Sequence, residues 1–399
     1  MNIYLSNPSL ICCAGNCPSD FFYSITTKNQ KGIKKTKCSL CNNSDISDNA
    51  NKEFFVGKID DDILKPTNDK FEMRILQILD YTLNQLEKTI QLAISKYGKS
   101  RIGVCLGSCD NGSELSLKAH KSFFTEGSFP SDYNIKAQSA DYISTYVSKK
   151  YNLEGISLSF STACSSSGSA IIKASELIKA GVCDAVIAGG VDIASDTVLL
   201  GFNSLEAISS KISNPFSKNR DGITLGEGAS IFVLSKDDID STSIILAGCG
   251  ESSDASHMTA PLADGSGAKQ AMQNALNNSS LSINDIDYIN LHGTGTHLND
   301  SMESKAVYNI FGAVNVPVST IKPITGHTLG AAASLELAAC FLAIKNQKLP
   351  VQVWDKEFDN ELPKLNFVDT PLPTKKIKCC MSNNFAFGGC NISLIIKEL

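Results

Sequence analysis

Short apolar runs bounded by turn residues alternate with amphipathic stretches along most of this chain. Runs of this kind are typical of strands buried on both faces, and they occupy 101–108, 155–160, 184–190, 229–235, 243–250, 288–292, 316–320 and 391–399. Apolar residues recur at helical spacing elsewhere, which predicts helices over 74–98, 168–181, 267–278 and 328–347. Strands that alternate with helices in this way predict an α/β architecture.

Two distant segments share one plan. Residues 156–181 and 316–347 each read as a strand, a Ser/Thr-rich turn with one reactive side chain, and an Ala-rich helix. The first turn carries Cys164 and the second carries His327. Such a repeat predicts two related halves that meet face to face and bring the two turns together. We place their boundary in a polar segment, which gives domains 1–239 and 240–399.

Composition and charge narrow the classes of function. The chain has 399 residues, 42% hydrophobic and 19% charged, as in an ordinary soluble globular protein. Its net charge is −5 and it has no long basic stripe, which argues against nucleic-acid binding. No basic region precedes the first apolar residues, and no segment approaches the ~20 apolar residues that span a bilayer. We therefore expect a cytoplasmic protein without a membrane anchor.

The cysteines of a cytoplasmic protein are expected to be reduced, and most of the fourteen here should behave as small hydrophobic residues. Cys38 and Cys41 form a C-x-x-C pair, which could supply half of a zinc site. The upstream Cys12, Cys13 and Cys17 are irregularly spaced, and a structural zinc site needs four ligands. We predict no metal site.

Cys164 differs from the other cysteines because it lies at a predicted strand-to-helix turn. The positive end of a helix dipole predicts a lowered thiol pKa and a nucleophilic thiolate. His292 and His327 lie in Gly/Thr-rich turns after two other predicted strands. Side chains at the carboxyl ends of strands in α/β sheets gather around one crevice. We therefore expect these three side chains to form a nucleophilic centre.

Rival interpretations of the same residues are weaker. His292 and His297 with Asp300 or Glu303 could be read as metal ligands, but the intervening "GTGT" prevents the helical spacing that such a pair needs. The glycine-rich segment 214–229 lacks dinucleotide-binding spacing. We expect its charged residues to form an ion-pair network under the site; they are Arg220, Asp221 and Glu227.

Four motifs together resemble the β-ketoacyl-acyl-carrier-protein synthases. They are "STACSSSG" around Cys164, "HGTGT" at 292–296, "KPITGHTLGAA" at 322–332 and "NNFAFGG" at 383–389. Their order and spacing resemble the elongating Cys-His-His type over residues 100–399. Initiating synthases carry asparagine where His327 stands, and thiolases carry a second catalytic cysteine near the C-terminus. Cys390 lies there, and we interpret it as a substitution with no catalytic role.

The resemblance implies a thiolase fold, with five layers αβαβα built from two duplicated halves, as a homodimer. It also implies a decarboxylative condensation. An acyl chain moves from the phosphopantetheine arm of an acyl carrier protein to Cys164 and is extended by malonyl-carrier protein with loss of CO₂. The phosphopantetheine arrives on the carrier, so no tightly bound cofactor is expected.

Family roles can be carried over to matching positions. The resemblance implies that Cys164 holds the acyl chain and that His292 and His327 stabilise the enolate. Lys322 matches the lysine that supports the histidines, and Glu336 matches its acidic partner. The backbone N–H groups of Cys164 and Phe385 match the oxyanion donors, and Phe385 also matches the gate of the acyl pocket. Hydroxyls matching the pantetheine-binding positions belong to Thr294, Thr296 and Thr259, while Asp300 and Glu303 match structural acids.

Some features depart from the family pattern. The first hundred residues match poorly and lack the usual opening strand, and the pocket segment 107–116 is unusually polar. Primary fatty-acid, polyene and polyketide elongation therefore all stay open. A CoA-dependent initiating synthase or thiolase is an alternative, as is a non-catalytic chain-length partner subunit. Because carrier proteins are acidic, we expect a basic patch near the pocket mouth, with Lys211, Lys218 and the two Lys-Lys segments as candidates.

Overall fold

The computed structural model describes residues 1–38, 52–110 and 112–399. The strands are β1 (Tyr4–Leu5), β2 (Ser9–Cys12), β3 (Ile33–Lys37), β4 (Glu53–Gly57), β5 (Ile102–Gly107), β6 (Ser157–Phe160), β7 (Ala185–Asp192), β8 (Leu225–Gly226), β9 (Gly228–Ser235), β10 (Ile244–Ser253), β11 (Tyr288–Asn290), β12 (Pro317–Ser319), β13 (Asn366–Phe367), β14 (Cys379–Phe385) and β15 (Cys390–Glu398). The helices are α1 (Pro18–Thr27), α2 (Arg74–Tyr97), α3 (Ser113–Glu126), α4 (Tyr142–Tyr151), α5 (Ser166–Lys179), α6 (Asp196–Ser204), α7 (Ser266–Ser279), α8 (His297–Phe311), α9 (Lys322–Thr325) and α10 (Ala332–Asn346).

Each strand and helix predicted from the apolar pattern forms, with ends shifted by a few residues. The segment 328–347 divides into a 3₁₀ turn, Leu329–Ala331, followed by α10. The expectation that the chain lacks an opening strand was wrong. Strands β1 and β2 form there, and β2 pairs antiparallel with β9.

The main sheet has the order β13-β12-β11-β14-β15-β10-β1-β9-β7-β5-β6. Its two ends repeat one arrangement. At one end β6, β5 and β7 are parallel and β9 runs antiparallel beside them; at the other end β12, β11 and β14 are parallel and β15 runs antiparallel. The order and directions confirm the predicted duplication, in which β6–α5 corresponds to β12–α10. The boundary between residues 239 and 240 stays a prediction.

Five layers follow from where the apolar side chains are buried. α5 and α10 lie side by side in the middle, within a core that also takes side chains from both halves of the sheet. On the outside, α2 and α4 cover the N-terminal half, and α7 and α8 cover the C-terminal half. The order is therefore helices, sheet, helices, sheet, helices.

The central helix α10 is apolar around almost its whole circumference, as expected of a helix with no solvent-facing side. At Gly168 in α5, an added Cβ would lie 3.3 Å from the Cβ of Ala333, so small residues let the two central helices approach. The segment Leu329–Asn346 is long and apolar enough to cross a membrane by composition, but 89% of it is buried inside the fold. This burial is typical of a core helix in a soluble protein.

One sequence hypothesis falls outside the described residues. Cys38 is buried at the end of the β3 region, but Cys41 lies in the segment 39–51, which the structure does not describe. The C-x-x-C pair therefore stays a sequence observation.

Candidate active site

Equivalent turns in the two halves present the reactive side chains. Cys164 lies in the 3₁₀ turn Ala163–Ser165 between β6 and α5, and His327 directly precedes the matching turn before α10. Ala163 has a φ of 51° and Leu329 a φ of 50°, so each turn holds one non-glycine residue in the left-handed region. This conformation costs roughly 1–2 kcal/mol, and the surrounding core must hold it in place.

The two turns place His327 Nε2 3.0 Å from Cys164 Sγ, and both side chains are buried. The backbone N–H of Leu329 donates to His327 Nδ1 at 3.3 Å. A neutral imidazole carries one proton, so this contact leaves the proton on Nε2. His327 is therefore oriented as a hydrogen-bond donor toward the sulfur.

His292 completes the group, with its ring edge-on to that of His327 and 5.3 Å between ring centres. Lys322 Nζ lies 3.2 Å from His292 Nδ1, and an ammonium group can only donate. His292 therefore also carries its proton on Nε2. Both carboxylate oxygens of Glu303 hold the turn, because they accept the backbone N–H groups of His292 and Gly293 at 2.7 Å each.

A buried ion pair lies behind the histidines. Lys322 Nζ contacts a carboxylate oxygen of Glu336, and the other oxygen accepts from the Asn384 side chain. The Lys322 and Glu336 side chains are each only 2% exposed, so neither charge has water as an alternative partner. The pair thereby fixes the position of the ammonium group against His292. Asn384 was missed by the sequence reasoning, although it lies within the "NNFAFGG" motif.

Burial decides the ionisation of the centre. It lowers the pKa of His292 and of His327 well below the usual range, and the charge of Lys322 lowers both further. Burial also raises the pKa of the Cys164 thiol to about 11, despite the opposing charge of Lys322. The predicted lowering of this pKa by the helix dipole was wrong, because desolvation of the thiolate outweighs the dipole. At neutral pH the resting centre therefore holds a thiol and two uncharged imidazoles.

The backbone N–H groups that contact the Cys164 sulfur bear on the predicted oxyanion donors, Cys164 and Phe385. The backbone N–H groups of Phe387 and of Cys164 itself are the ones that face the sulfur and lower its pKa. Phe385 is instead buried with its ring edge-on to His292, 6.2 Å between centres. Phe387 stacks on Phe202 at 5.8 Å at the cavity wall, where a gate would stand. Both phenylalanines belong to the "NNFAFGG" motif, and the sequence could not show which of their N–H groups contacts the sulfur.

A cavity of about 260 Å³ leads from this centre to the surface. Its inner end is formed by Cys164, His292 and His327. The three predicted pantetheine-binding threonines all line it; they are Thr259, Thr294 and Thr296. Thr294 and Thr296 hydroxyls contact each other at 3.0 Å, and Thr296 also caps α8. Cys390 is not among the described residues that line this cavity.

Donor atoms of Cys164, His292 and His327 lie within 4.8 Å of one another, close enough to be compared with a metal site. The tautomers argue against that interpretation. A metal on Nε2 would force the proton onto Nδ1, where Lys322 and the Leu329 N–H already donate. Both imidazoles therefore present Nε2–H groups as hydrogen-bond donors.

The predicted ion-pair network among Arg220, Asp221 and Glu227 was wrong, because each residue has a different partner. Arg220 pairs with Asp359 at 2.6 Å, and Glu227 pairs with Arg74 at 2.6 Å. Asp221 accepts from the serines at 209 and 210 and forms part of the cavity wall.

A further buried acid was missed by the sequence reasoning. Asp192, at the end of β7, accepts the backbone N–H groups of Cys109 at 2.8 Å and Gly330 at 2.7 Å. It thereby ties the loop after β5 to the turn that follows His327. Burial raises its pKa to about 7.

The expected basic patch does not line the cavity. Among the residues that the structure describes, the charged groups in the cavity wall are the acids Glu206 and Asp221, and no lysine or arginine lines it. Four of the candidate lysines form ion pairs elsewhere: Lys34 with Asp60, Lys218 with Glu357, Lys375 with Asp287 and Lys376 with Glu398. Lys211 is exposed and follows the serines that bind Asp221.

Comparisons with known proteins identify the family of this chain. Residues 42–238 match the model of the beta-ketoacyl synthase N-terminal domain, and residues 244–353 match that of the C-terminal domain. The 3-oxoacyl-[acyl-carrier-protein] synthase 2 of Coxiella burnetii is 35% identical over 323 residues, covering 77% of this chain and 78% of that protein. The protein of the same name from Staphylococcus aureus is 31% identical over 341 residues, covering 82% of each.

A solved structure also superposes over the whole chain. It is the ketosynthase ApeO in complex with its chain length factor ApeC from Xenorhabdus doucetiae, with a TM-score of 0.91 and 34% identity, covering 100% of this chain and 98% of that one. The five layers and the duplicated halves are thus those of a thiolase-fold condensing enzyme.

Proposed function

The chain belongs to the β-ketoacyl synthase family, and we propose the roles that its own residues take in that family's reaction. It is a 3-oxoacyl-[acyl-carrier-protein] synthase, an acyltransferase that condenses an acyl chain with a malonyl unit and releases CO₂. The acyl carrier protein supplies both substrates on its phosphopantetheine arm, and Thr259, Thr294 and Thr296 bind that arm in the cavity.

In the first step the Cys164 sulfur attacks the carbonyl carbon of the acyl thioester. A new C–S bond forms, the bond to the pantetheine sulfur breaks, and the thiol proton of Cys164 ends on the departing pantetheine thiol. The oxyanion of the tetrahedral intermediate receives the N–H groups of Cys164 and Phe387. The support for this role is that both groups already face the sulfur in the resting centre.

In the second step the malonyl group loses CO₂, and the electron pair of the broken C–C bond forms an enolate. The Nε2–H groups of His292 and His327 donate to the enolate oxygen. Lys322 is a positioning residue in this step, because its ammonium group keeps the proton of His292 on Nε2. The enolate carbon then attacks the thioester carbon, the C–S bond to Cys164 breaks as the 3-ketoacyl product forms, and the released Cys164 thiolate takes up a proton from water.

One observation carries the proposal: the contact of 3.0 Å between Cys164 Sγ and His327 Nε2, with a second imidazole facing the same space. The test loads the protein from an acyl carrier protein and weighs the peptide that contains Cys164. Adding malonyl-carrier protein should then release a 3-ketoacyl product two carbons longer. Equal loading from acyl-CoA without condensation would instead support the initiating or thiolase alternative.

Assembly with a second subunit of the same fold is part of the proposal. β6 is the edge strand of the main sheet, and α3 and the loop after it expose a group of stacked aromatic rings that includes Phe123, Phe124 and Phe129. We expect a homodimer, and the complex of ApeO with a chain length factor offers a heterodimer as the alternative. The molar mass of the purified chain, measured by light scattering, distinguishes a homodimer from a monomer that requires a different subunit as its partner. A cytoplasmic location stays a prediction.

A further inference from the structure

The outer end of the cavity is surrounded by exposed apolar side chains. Cys164, His292 and His327 at its inner end are each at most 6% exposed. Leu205, which follows α6, and Leu298, in the first turn of α8, also line the cavity and are 53% and 58% exposed. They therefore lie at its mouth.

Met258 extends this apolar border. It stands between His257 and Thr259, which both line the cavity, and it is 77% exposed. Its carbonyl oxygen accepts the backbone N–H of Gly388 at 2.7 Å, which holds it beside the phenylalanine loop. We call Leu205, Met258 and Leu298 the apolar rim.

The charge at the mouth does not suit a partner that docks by its acidic face. Glu206 is exposed beside Leu205, and Asp221 lies in the same wall. Within the described part of the chain, the basic side chains in this part of the cavity wall are His257 and His297, both of which are exposed, while Lys52 lies outside the wall with its Nζ donating to Asn203 Oδ1 at 2.6 Å. Acidic residues of a partner pressed against this mouth would meet Glu206 without a lysine or arginine in the wall to neutralise it.

We propose that the apolar rim is the docking surface for the carrier protein, and that it selects a carrier whose surface beside the pantetheine-bearing serine is apolar and weakly charged. The inference rests on the proposed function. The pantetheine arm must enter through this mouth to reach Cys164, so the carrier surface at the base of the arm comes to rest on the rim. When a matching apolar surface covers these three exposed side chains, their burial stabilises the complex.

The test compares substrates with and without the carrier. Condensation is measured with hexanoyl- and malonyl-loaded bacterial acyl carrier protein, and in parallel with the hexanoyl and malonyl thioesters of free pantetheine. The variants are Leu205→Ser, Met258→Ser and Leu298→Ser. Leu372→Ser is the matched control, because Leu372 is 72% exposed and does not line the cavity. Lys211→Glu tests electrostatic docking at the nearby exposed lysine.

Each rim variant should raise KM for the carrier-borne substrate, and this increase should be at least about fivefold larger than the increase in KM for the pantetheine thioester. The reason is that burial of a Leu or Met side chain contributes about one power of ten to affinity. Leu372→Ser should leave both values unchanged. The carrier KM of the parent should change less than about twofold between about 0.05 and about 0.5 M salt, because apolar contacts are not screened. Serine substitutions of apolar residues beside the pantetheine-bearing serine of the carrier should reproduce the rim effect.

Three results would overturn the inference. Rim variants with parental carrier KM, together with a steep salt dependence and a large effect of Lys211→Glu, would mean that docking is electrostatic. A changed oligomeric state of the rim variants in gel filtration would mean that the rim is a subunit interface. If the parent condenses neither carrier-borne nor pantetheine-borne substrates, the proposed function itself fails, which is distinct from a failure of the rim alone.

Discussion

His327 Nε2 lies 3.0 Å from Cys164 Sγ although 163 residues separate the two in the chain. The contact joins equivalent turns of the two duplicated halves, each of which precedes a central helix. The candidate catalytic centre thus lies at an interface between the halves, and each half alone carries only part of it.

The pH dependence of alkylation tests the ionisation of this centre. Burial raises the pKa of the Cys164 thiol to about 11, so the thiolate fraction at neutral pH is small. The rate of alkylation of Cys164 by iodoacetamide should therefore rise about tenfold per pH unit from pH ~7 to ~10. The measurement is mass spectrometry of the Cys164 peptide. A rate that is already constant below pH ~8 would mean that the helix dipole dominates after all.

Cys164→Gln should separate the two halves of the reaction. The carboxamide oxygen of the new glutamine takes the place of the thioester oxygen, between the backbone N–H groups of residue 164 and Phe387. His292 and His327 stay available to bind the enolate. We expect condensation to be lost and decarboxylation of malonyl-carrier protein to continue. Mass spectrometry of the carrier protein measures decarboxylation as the conversion of malonyl to acetyl groups. A folded variant that has lost both activities would contradict the roles assigned here, and adding His292→Ala should remove decarboxylation.

Lys322→Met should cost about 3–5 kcal/mol in the free energy of unfolding, because it leaves the Glu336 carboxylate buried without a cation. The double variant Lys322→Met/Glu336→Gln should recover part of that loss, since the amide oxygen still accepts from Asn384. Urea unfolding measures both. Lys322→Met should also slow decarboxylation, because His292 has lost the donor to its Nδ1. The double variant lacks the same donor, so its decarboxylation should be equally slow. Recovery of activity together with stability would contradict the positioning role of Lys322.

Gly388 and Gly389 offer a matched pair that tests the oxyanion donor. Both have positive φ, 85° and 77°, but an added Cβ at Gly389 would lie 2.8 Å from the Cβ of Asp254, whereas one at Gly388 meets no atom within 4 Å. Gly389→Ala should shift the turn that aims the Phe387 N–H and slow acylation of Cys164 about tenfold or more relative to Gly388→Ala. Stopped-flow or quenched acylation gives the rates. Equal rates would show that the Phe387 N–H is not needed.

The contribution of Asp192 to the stability of the protein should fall as the pH rises from about 4 to about 7. Burial raises the pKa of Asp192 from its ordinary 3.8 to about 7, so the folded state binds more protons than the unfolded chain in this range. The stabilisation that Asp192 contributes is fully present below pH ~4 and is lost as the pH rises through ~7. Asp192→Asn should reduce the slope by up to about 1.4 kcal/mol per pH unit.

The comparison uses urea unfolding at a series of pH values, with the exposed Asp132→Asn as control. Asp300, Glu303 and Glu336 are also buried with raised pKa values, and they add to the slope. The lowered pKa values of His292 and His327 act in the opposite direction, so the prediction concerns the change in slope between the parent and Asp192→Asn. A slope identical to that of the parent would show that Asp192 is charged throughout this range.

The amino-acid sequence determined the elements and the reactive residues. Apolar periodicity is a local property, so β5, β7, β9 and the central helices could be located before any fold was known. The repeated strand, turn and helix plan placed Cys164 and His327 at equivalent positions, and the four motifs identified the family.

Only the tertiary structure decided the finer chemistry. The direction of the Cys164 pKa depends on how much water the fold removes from the thiolate, which no local pattern records. Whether the N–H of Phe385 or of Phe387 contacts the Cys164 sulfur depends on where β14 ends relative to the turn at Cys164. Partners of Arg220 and Glu227 are 139 and 153 residues away in the chain, so their ion pairs could not be read from a shared motif. Burial and long-range contact are properties of the packed chain, and they exist only once the two halves have closed on each other.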